Sequence, residues 1–175
     1  EMPAILVGYH IPNVASPDIY ALDILQMVLA DGESSRLHKK LVRELGIAAA
    51  ADANAEWKID PGLFLFDIKM KPSKDPAEGE KALYGEIESI AANGVTAGEL
   101  AKAKNRLLSN FYGGMQTVNG KANRIGRYEI LFGDFNEIYR VQERYQAVTL
   151  DDVKRVAGTY FKKTNRSVMT LIPEA

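Results

Sequence analysis

The stretch Gly62-Leu63-Phe64-Leu65-Phe66-Asp67-Ile68-Lys69-Met70-Lys71 decides the fold. Phe64, Phe66, Ile68 and Met70 alternate with Leu65, Asp67, Lys69 and Lys71. A period of two places the first set on one face of a pleated strand and the second on the other. The strand is therefore buried on one side. Pro61-Gly62 makes a turn ahead of it. Residues 47–57, before the turn, complete an antiparallel hairpin, although their many alanines are weak strand formers.

Residues 4–11 form a β-rich apolar run that reads as a central strand, ended by Pro12-Asn13. Ser16 is placed to cap a helix with Pro17 in its first turn. Leu22, Leu25 and Leu29 mark the buried stripe of that helix, Ile24 and Val28 widen it, and Asp31-Gly32 stops it. A shorter helix starts at Ser34 or Ser35. On it Leu37, Leu41 and Leu45 recur along one face, Lys39, Lys40, Arg43 and Glu44 point away, and Gly46 fits the C-terminal cap. After the hairpin, Asp75-Pro76-Ala77-Glu78 is a capping-box-like start for a helix carried by Leu83, Ile87, Ile90 and Ala91. Thr96-Ala97-Gly98-Glu99 is a second such start, continued by Leu100, Ala103, Leu107 and Phe111 as far as Gly113-Gly114. Residues 119–132 and 136–147 read as further helices. Thr149 opens the last one, with Val153, Val156, Ala157, Tyr160 and Phe161 inward, and residues 167–172 form a closing strand. Strands and helices come in runs rather than in strict alternation. That order predicts one α+β domain over residues 1–175, with a mostly antiparallel sheet and helices mainly on one face.

Composition removes several function classes. Charged residues make up 26% of the chain and the formal net charge is −1, so no basic excess draws it to nucleic acid or an anionic membrane. No apolar run is long enough to span a bilayer. The absence of cysteine excludes disulfides, thiolate metal sites and cysteine nucleophiles. The chain enters a strand-like run directly from Glu1-Met2-Pro3 and reads as a piece of a longer polypeptide.

No catalytic set emerges from the residues. His10 and His38 are the only histidines, and neither has a partner at helical ligand spacing. A zinc site needs three protein ligands and an open position. Ser34-Ser35 with His38 shares one helical turn but has no third, orienting group, and reads as a capping serine beside a surface histidine. Gly113-Gly114 and Gly120 lack the Lys-Ser/Thr of a phosphate loop and read as a helix break. Arg124, Arg127, Arg140 and Arg144 are mixed with Glu129, Glu137 and Glu143, as on a solvated or partner-facing surface.

The segment Ala30-Asp31-Gly32-Glu33-Ser34-Ser35-Arg36-Leu37-His38-Lys39-Lys40-Leu41-Val42-Arg43-Glu44-Leu45-Gly46-Ile47-Ala48 resembles a signature of the insulinase/pitrilysin family of zinc peptidases: Gly, then Ser-Arg-Leu, a leucine-striped helix and Gly-Leu-Ala. Glu129-Ile130-Leu131-Phe132-Gly133-Asp134 and Val148-Thr149-Leu150-Asp151-Asp152-Val153, with Val156-Ala157 and Tyr160-Phe161, resemble its later segments, so the likeness runs along essentially the whole chain. The resemblance implies a repeated α+β domain, two or four of which enclose a chamber where unfolded peptides are cut. It implies zinc on an inverted His-x-x-Glu-His helix, which this chain lacks, so the chain resembles the non-catalytic C-terminal domain of a half-molecule. The zinc and its N-terminal domain belong elsewhere in the parent, and a second half or subunit is an expected partner. In some such domains an Arg and a Tyr reach the substrate; Val42 and Ala49 occupy those positions here. Their absence implies either a partner that supplies the pair or an inactive homologue with a structural, assembly role. Export of many two-domain bacterial members favours the bacterial periplasm over the cytoplasm.

The isolated chain is expected to hold no stoichiometric zinc after dialysis. Retained zinc that disappears on changing His10 or His38 to Ala overturns this.

Overall fold

The computed structural model describes residues 2–173. Four strands form one antiparallel sheet in the order β2 (Ala48–Ala55), β3 (Gly62–Met70), β1 (Ala4–Ile11), β4 (Arg166–Leu171). The hairpin and the central placement of residues 4–11 and 62–71 are as the alternation requires. Phe64, Phe66, Ile68 and Met70 are fully buried, and Ile5, Val7, Tyr9 and Ile11 of β1 line up beside them on the same face. The helices α1 (Asp18–Ala30), α2 (Pro76–Asn93) and α6 (Leu150–Tyr160) cover that face. Phe161, just past α6, seals one end, its ring centroid 4.9 Å from Phe64 and 5.0 Å from Tyr9.

The alanines of β2 are explained by what faces them. Ala48, Ala51 and Ala55 are buried, and their small side chains let α1 lie close over the strand. Ala48 pairs with Met70 and Ala50 with Lys69, so Ala49 is the extra residue of a bulge. The bulge allows Ala48 and Ala51, three positions apart, both to face inward, and it turns Ala49 into solvent. α2 approaches the sheet as closely at Gly79, where an added Cβ would stand 2.7 Å from Met70 Sδ and 3.0 Å from Ile5 Cδ1.

Four expectations need correction. The helix after Asp31-Gly32 is a π-helical segment, His38–Glu44, with Leu45 N–H donating to Lys40 O at 3.0 Å. Its wide turn keeps Leu37 and Leu41 buried but swings Leu45 out to 46% exposure, so the leucines do not share one face. Residues 136–147 are not one helix: a 3₁₀ segment, Phe135–Arg140, leads into α5 (Val141–Ala147). Asp75 accepts only from Ala77 N–H, so α2 has a simple cap rather than a capping box. The helix starts just after Ser35, whose carbonyl accepts from Lys39 N–H at 3.0 Å, but neither serine side chain caps it: Ser35 Oγ is buried without a partner, and Ser34 accepts from Lys102 Nζ. The capping box expected at Thr96/Glu99 is present and opens α3 (Ala97–Gly113), and the structure adds a second at Thr149/Asp152, which opens α6.

The far face of the sheet carries no helix among the described residues. Leu6, Met169 and Leu171 lie together on it, with Met169 and Leu171 at 64% and 59% exposure. Among the described residues no helix is long and apolar enough to cross a membrane.

Filling the contact at Gly79 tests how α2 docks. Gly79→Leu should lower the unfolding free energy by about 1–3 kcal/mol through overpacking. Urea denaturation reads this, and unchanged stability would mean α2 does not close on Met70.

Candidate functional site

The segment from Asp31 to Ala51 carries Val42 and Ala49, and it is tied down by charge. Arg36 donates through Nε and a terminal nitrogen to both oxygens of Glu99, at 2.7 and 2.8 Å, a bidentate geometry that fixes orientation as well as distance. Glu99 is also the capping-box residue of α3, accepting from Thr96 N–H at 2.8 Å. The Arg36 guanidinium, assisted by the Thr96 amide, holds the Glu99 carboxyl down at about 2. Arg106 reaches Asp31 at 3.1 Å and Arg43 reaches Glu33 at 2.6 Å. The loop is thereby fixed to α3 before the π-helical segment begins. Within this frame Val42 is half-buried against the core, and Ala49 is exposed at the β2 bulge. Neither side chain carries a hydrogen-bond donor.

The histidines do not meet. His10 is exposed on the open face of β1, while His38 lies half-buried in the π-helical segment. Among the described residues no group of three or more His, Cys, Asp or Glu side chains could hold a metal ion. Ser35 is 3% exposed with an unpartnered Oγ, and His38 Nδ1 is also buried without a partner. Ser34, Ser35 and His38 thus form no hydrogen-bonded nucleophile and base.

A second constellation escaped the sequence reading. Asp23 lies on the buried side of α1 at 7% exposure. Its carboxylate accepts from Trp57 Nε1 at 3.0 and 3.1 Å and from the Tyr145 hydroxyl at 2.6 Å. Desolvation outweighs these donors and pushes the Asp23 carboxyl up to about 6. The signal was an acid set between Leu22 and Ile24 in an otherwise apolar stripe. Asp23 forms the floor of a cleft of about 500 Å³ between α3 and α4 (Val118–Phe132), walled by Phe111, Tyr128, Arg124 and Arg127. Gly114, at the break after α3, also lines it. A Cβ at Gly120 would stand 2.1 Å from the Gly114 carbonyl oxygen, so the two helix ends touch through backbone.

Residues 1–107, more than half of the chain, match the family described as Peptidase M16 inactive domain. Among curated proteins, zinc protease PqqE of Helicobacter pylori is 26% identical over 169 residues, which are 97% of this chain and 38% of that protein. The chain therefore spans well under half of that relative's length. Among solved structures, one from Bordetella parapertussis described as an inactive peptidase domain superposes with a TM-score of 0.90 at 27% identity, covering 99% of this chain and 94% of that one. A chain of complex III from Candida albicans, at 15% identity and a TM-score of 0.83, shares the fold alone.

The buried acid gives a pH signature. Its carboxyl is raised above the ordinary value, so the folded state binds the proton more tightly than the unfolded state. The resulting stability is fully present below about pH 4 and is lost as pH rises through about 6. The unfolding free-energy difference between the unmodified chain and Asp23→Asn should shift by on the order of 3 kcal/mol between pH 4 and 7, favouring the unmodified chain at the acid end. A difference independent of pH in chemical denaturation would refute this.

Proposed function

Because the chain belongs to the Peptidase M16 inactive domain family, we propose that it is the non-catalytic domain of a zinc endopeptidase, walling a peptide-enclosing chamber while the zinc sits in a companion domain of the same polypeptide. The observation that carries this reading is the length relation: a zinc protease matched across nearly all of this chain is more than twice as long as the match. The uncovered sheet face supports it physically. Leu6, Met169 and Leu171 form an apolar surface of the kind that a neighbouring domain covers.

The chemistry assigned to this domain is positioning. Peptide hydrolysis develops negative charge on the carbonyl oxygen, and donors aimed at that charge typically contribute on the order of 10²- to 10³-fold in rate each. With Val42 and Ala49 at the positions of the substrate-contacting Arg and Tyr, this domain contributes no such donor. We infer that a second half or subunit contributes them to an unfolded peptide held in the chamber. The same two residues support one other reading, an inactive homologue whose role is assembly.

Full-length parent protein assayed on an unstructured peptide should be at least about 100-fold less active alone than with its partner subunit. Full activity without a partner overturns the shared-donor reading. Absence of activity in every pairing identifies the assembly role.

A further inference from the structure

We propose that the cleft between α3 and α4 binds a peptide carboxylate carried next to an apolar side chain. Three observations point there together. First, the open wall of the cleft is cationic and not neutralised by an acid, although Arg124 donates to the Asn110 carbonyl oxygen at 3.2 Å. Among the described residues neither Arg124 nor Arg127 has a carboxylate within salt-bridge distance, whereas eight other basic side chains do. Arg124 lies over the Phe111 ring, 4.8 Å from its centroid, and Arg127 is exposed.

Second, the one acid in the cleft is not available to a cationic ligand. Asp23 is buried at the floor, and its oxygens already accept from Trp57 and Tyr145. A ligand entering from solvent meets guanidinium groups and aromatic faces first. The α4 N-terminal turn, which lines the cleft at Gly120, adds the positive end of a 15-residue helix.

Third, the shape suits a small ligand rather than a flat partner. A cleft of about 500 Å³ falls in the range of small-molecule sites, with Trp57 and Tyr128 offering apolar walls below the charged rim. An arginine can grip a carboxylate with two parallel hydrogen bonds while an adjacent side chain stacks on the aromatics. A peptide provides that carboxylate from its free C-terminus or from an Asp or Glu side chain.

Trp57 is the only tryptophan in the chain and lines the cleft, so its fluorescence reads occupancy directly. The unmodified chain is titrated with three probes: acetyl-Phe-Ala with a free C-terminus, the same dipeptide as its C-terminal amide, and acetyl-Phe-Glu amide. At least one acid should give a saturable Trp57 change with an affinity about tenfold or more above that of the neutral amide, weakening as salt rises. Which acid binds better identifies the source of the carboxylate. Arg127→Gln, at an exposed position, should reduce that binding about tenfold, while Arg140→Gln, at an arginine paired with Glu137, should not. Equal binding of all three probes, or no saturable change with either acid, overturns the proposal. So does an Arg127→Gln variant that binds as tightly as the unmodified chain. The site requires neither zinc nor a companion domain, so its failure leaves the peptidase reading intact, and the converse holds.

Discussion

The sheet is buried on one face only, and the rest of the domain answers to that constraint. Phe64, Phe66, Ile68 and Met70 must be covered, and α1, α2 and α6 cover them. Close cover demands small residues where helix meets sheet, hence Gly79 on the inner side of α2 and the alanines of β2 beneath α1. The alanine strand in turn needs a bulge to keep both Ala48 and Ala51 inward. That bulge is what presents Ala49 to solvent, at the place where the sequence resemblance puts a substrate contact. A packing requirement in the core thus sets the geometry of a position on the surface.

Charge does for the surface loops what apolar burial does for the sheet. The Arg36–Glu99 pair binds the loop after α1 to the first turn of α3, using a carboxylate that also caps the helix. Asp23 acts in the same way from inside, joining α1, the segment after β2 and α5 through a single carboxyl group. The exposed pairs Arg43–Glu33 and Arg106–Asp31 contribute little stability individually, while the part-buried Arg36–Glu99 pair fixes orientation through its bidentate geometry. The Asp23 junction costs desolvation and orders three segments that are far apart in the chain.

Much of this was legible in the residues. Period-two alternation at Phe64 to Met70, the capping box at Thr96 and the helix start at Thr149 are local codes, each resolved within about ten residues. The Ser-Arg-Leu segment and the later helix carried the family. What stayed hidden depends on contacts distant in sequence. Leu45 sits at helical spacing from Leu41, yet the segment is π-helical, with Leu37 and Leu41 buried and Leu45 exposed. The cleft could not be seen because Asp23, Trp57, Arg127 and Tyr145 converge only after folding. The alanine run signalled a poor strand, but it was the overlying α1 that made small side chains the requirement.

The pairing of β1 with β4 has a topological consequence. Ala4 lies opposite Leu171, so the start of the first strand and the end of the last are neighbours at one end of the sheet. Antiparallel partners stand about 4.5–5.5 Å apart, and a short loop can bridge that gap. The domain is in effect a closed ring of chain with its seam between two adjacent strands. Such a ring can be cut at an exposed turn and rejoined at the seam with its core contacts unchanged. It can also be spliced into a larger polypeptide as a unit, entering and leaving at one place. Modules with this property can be duplicated in tandem without rearranging their interiors, and the geometry that permits it here is a single strand pairing.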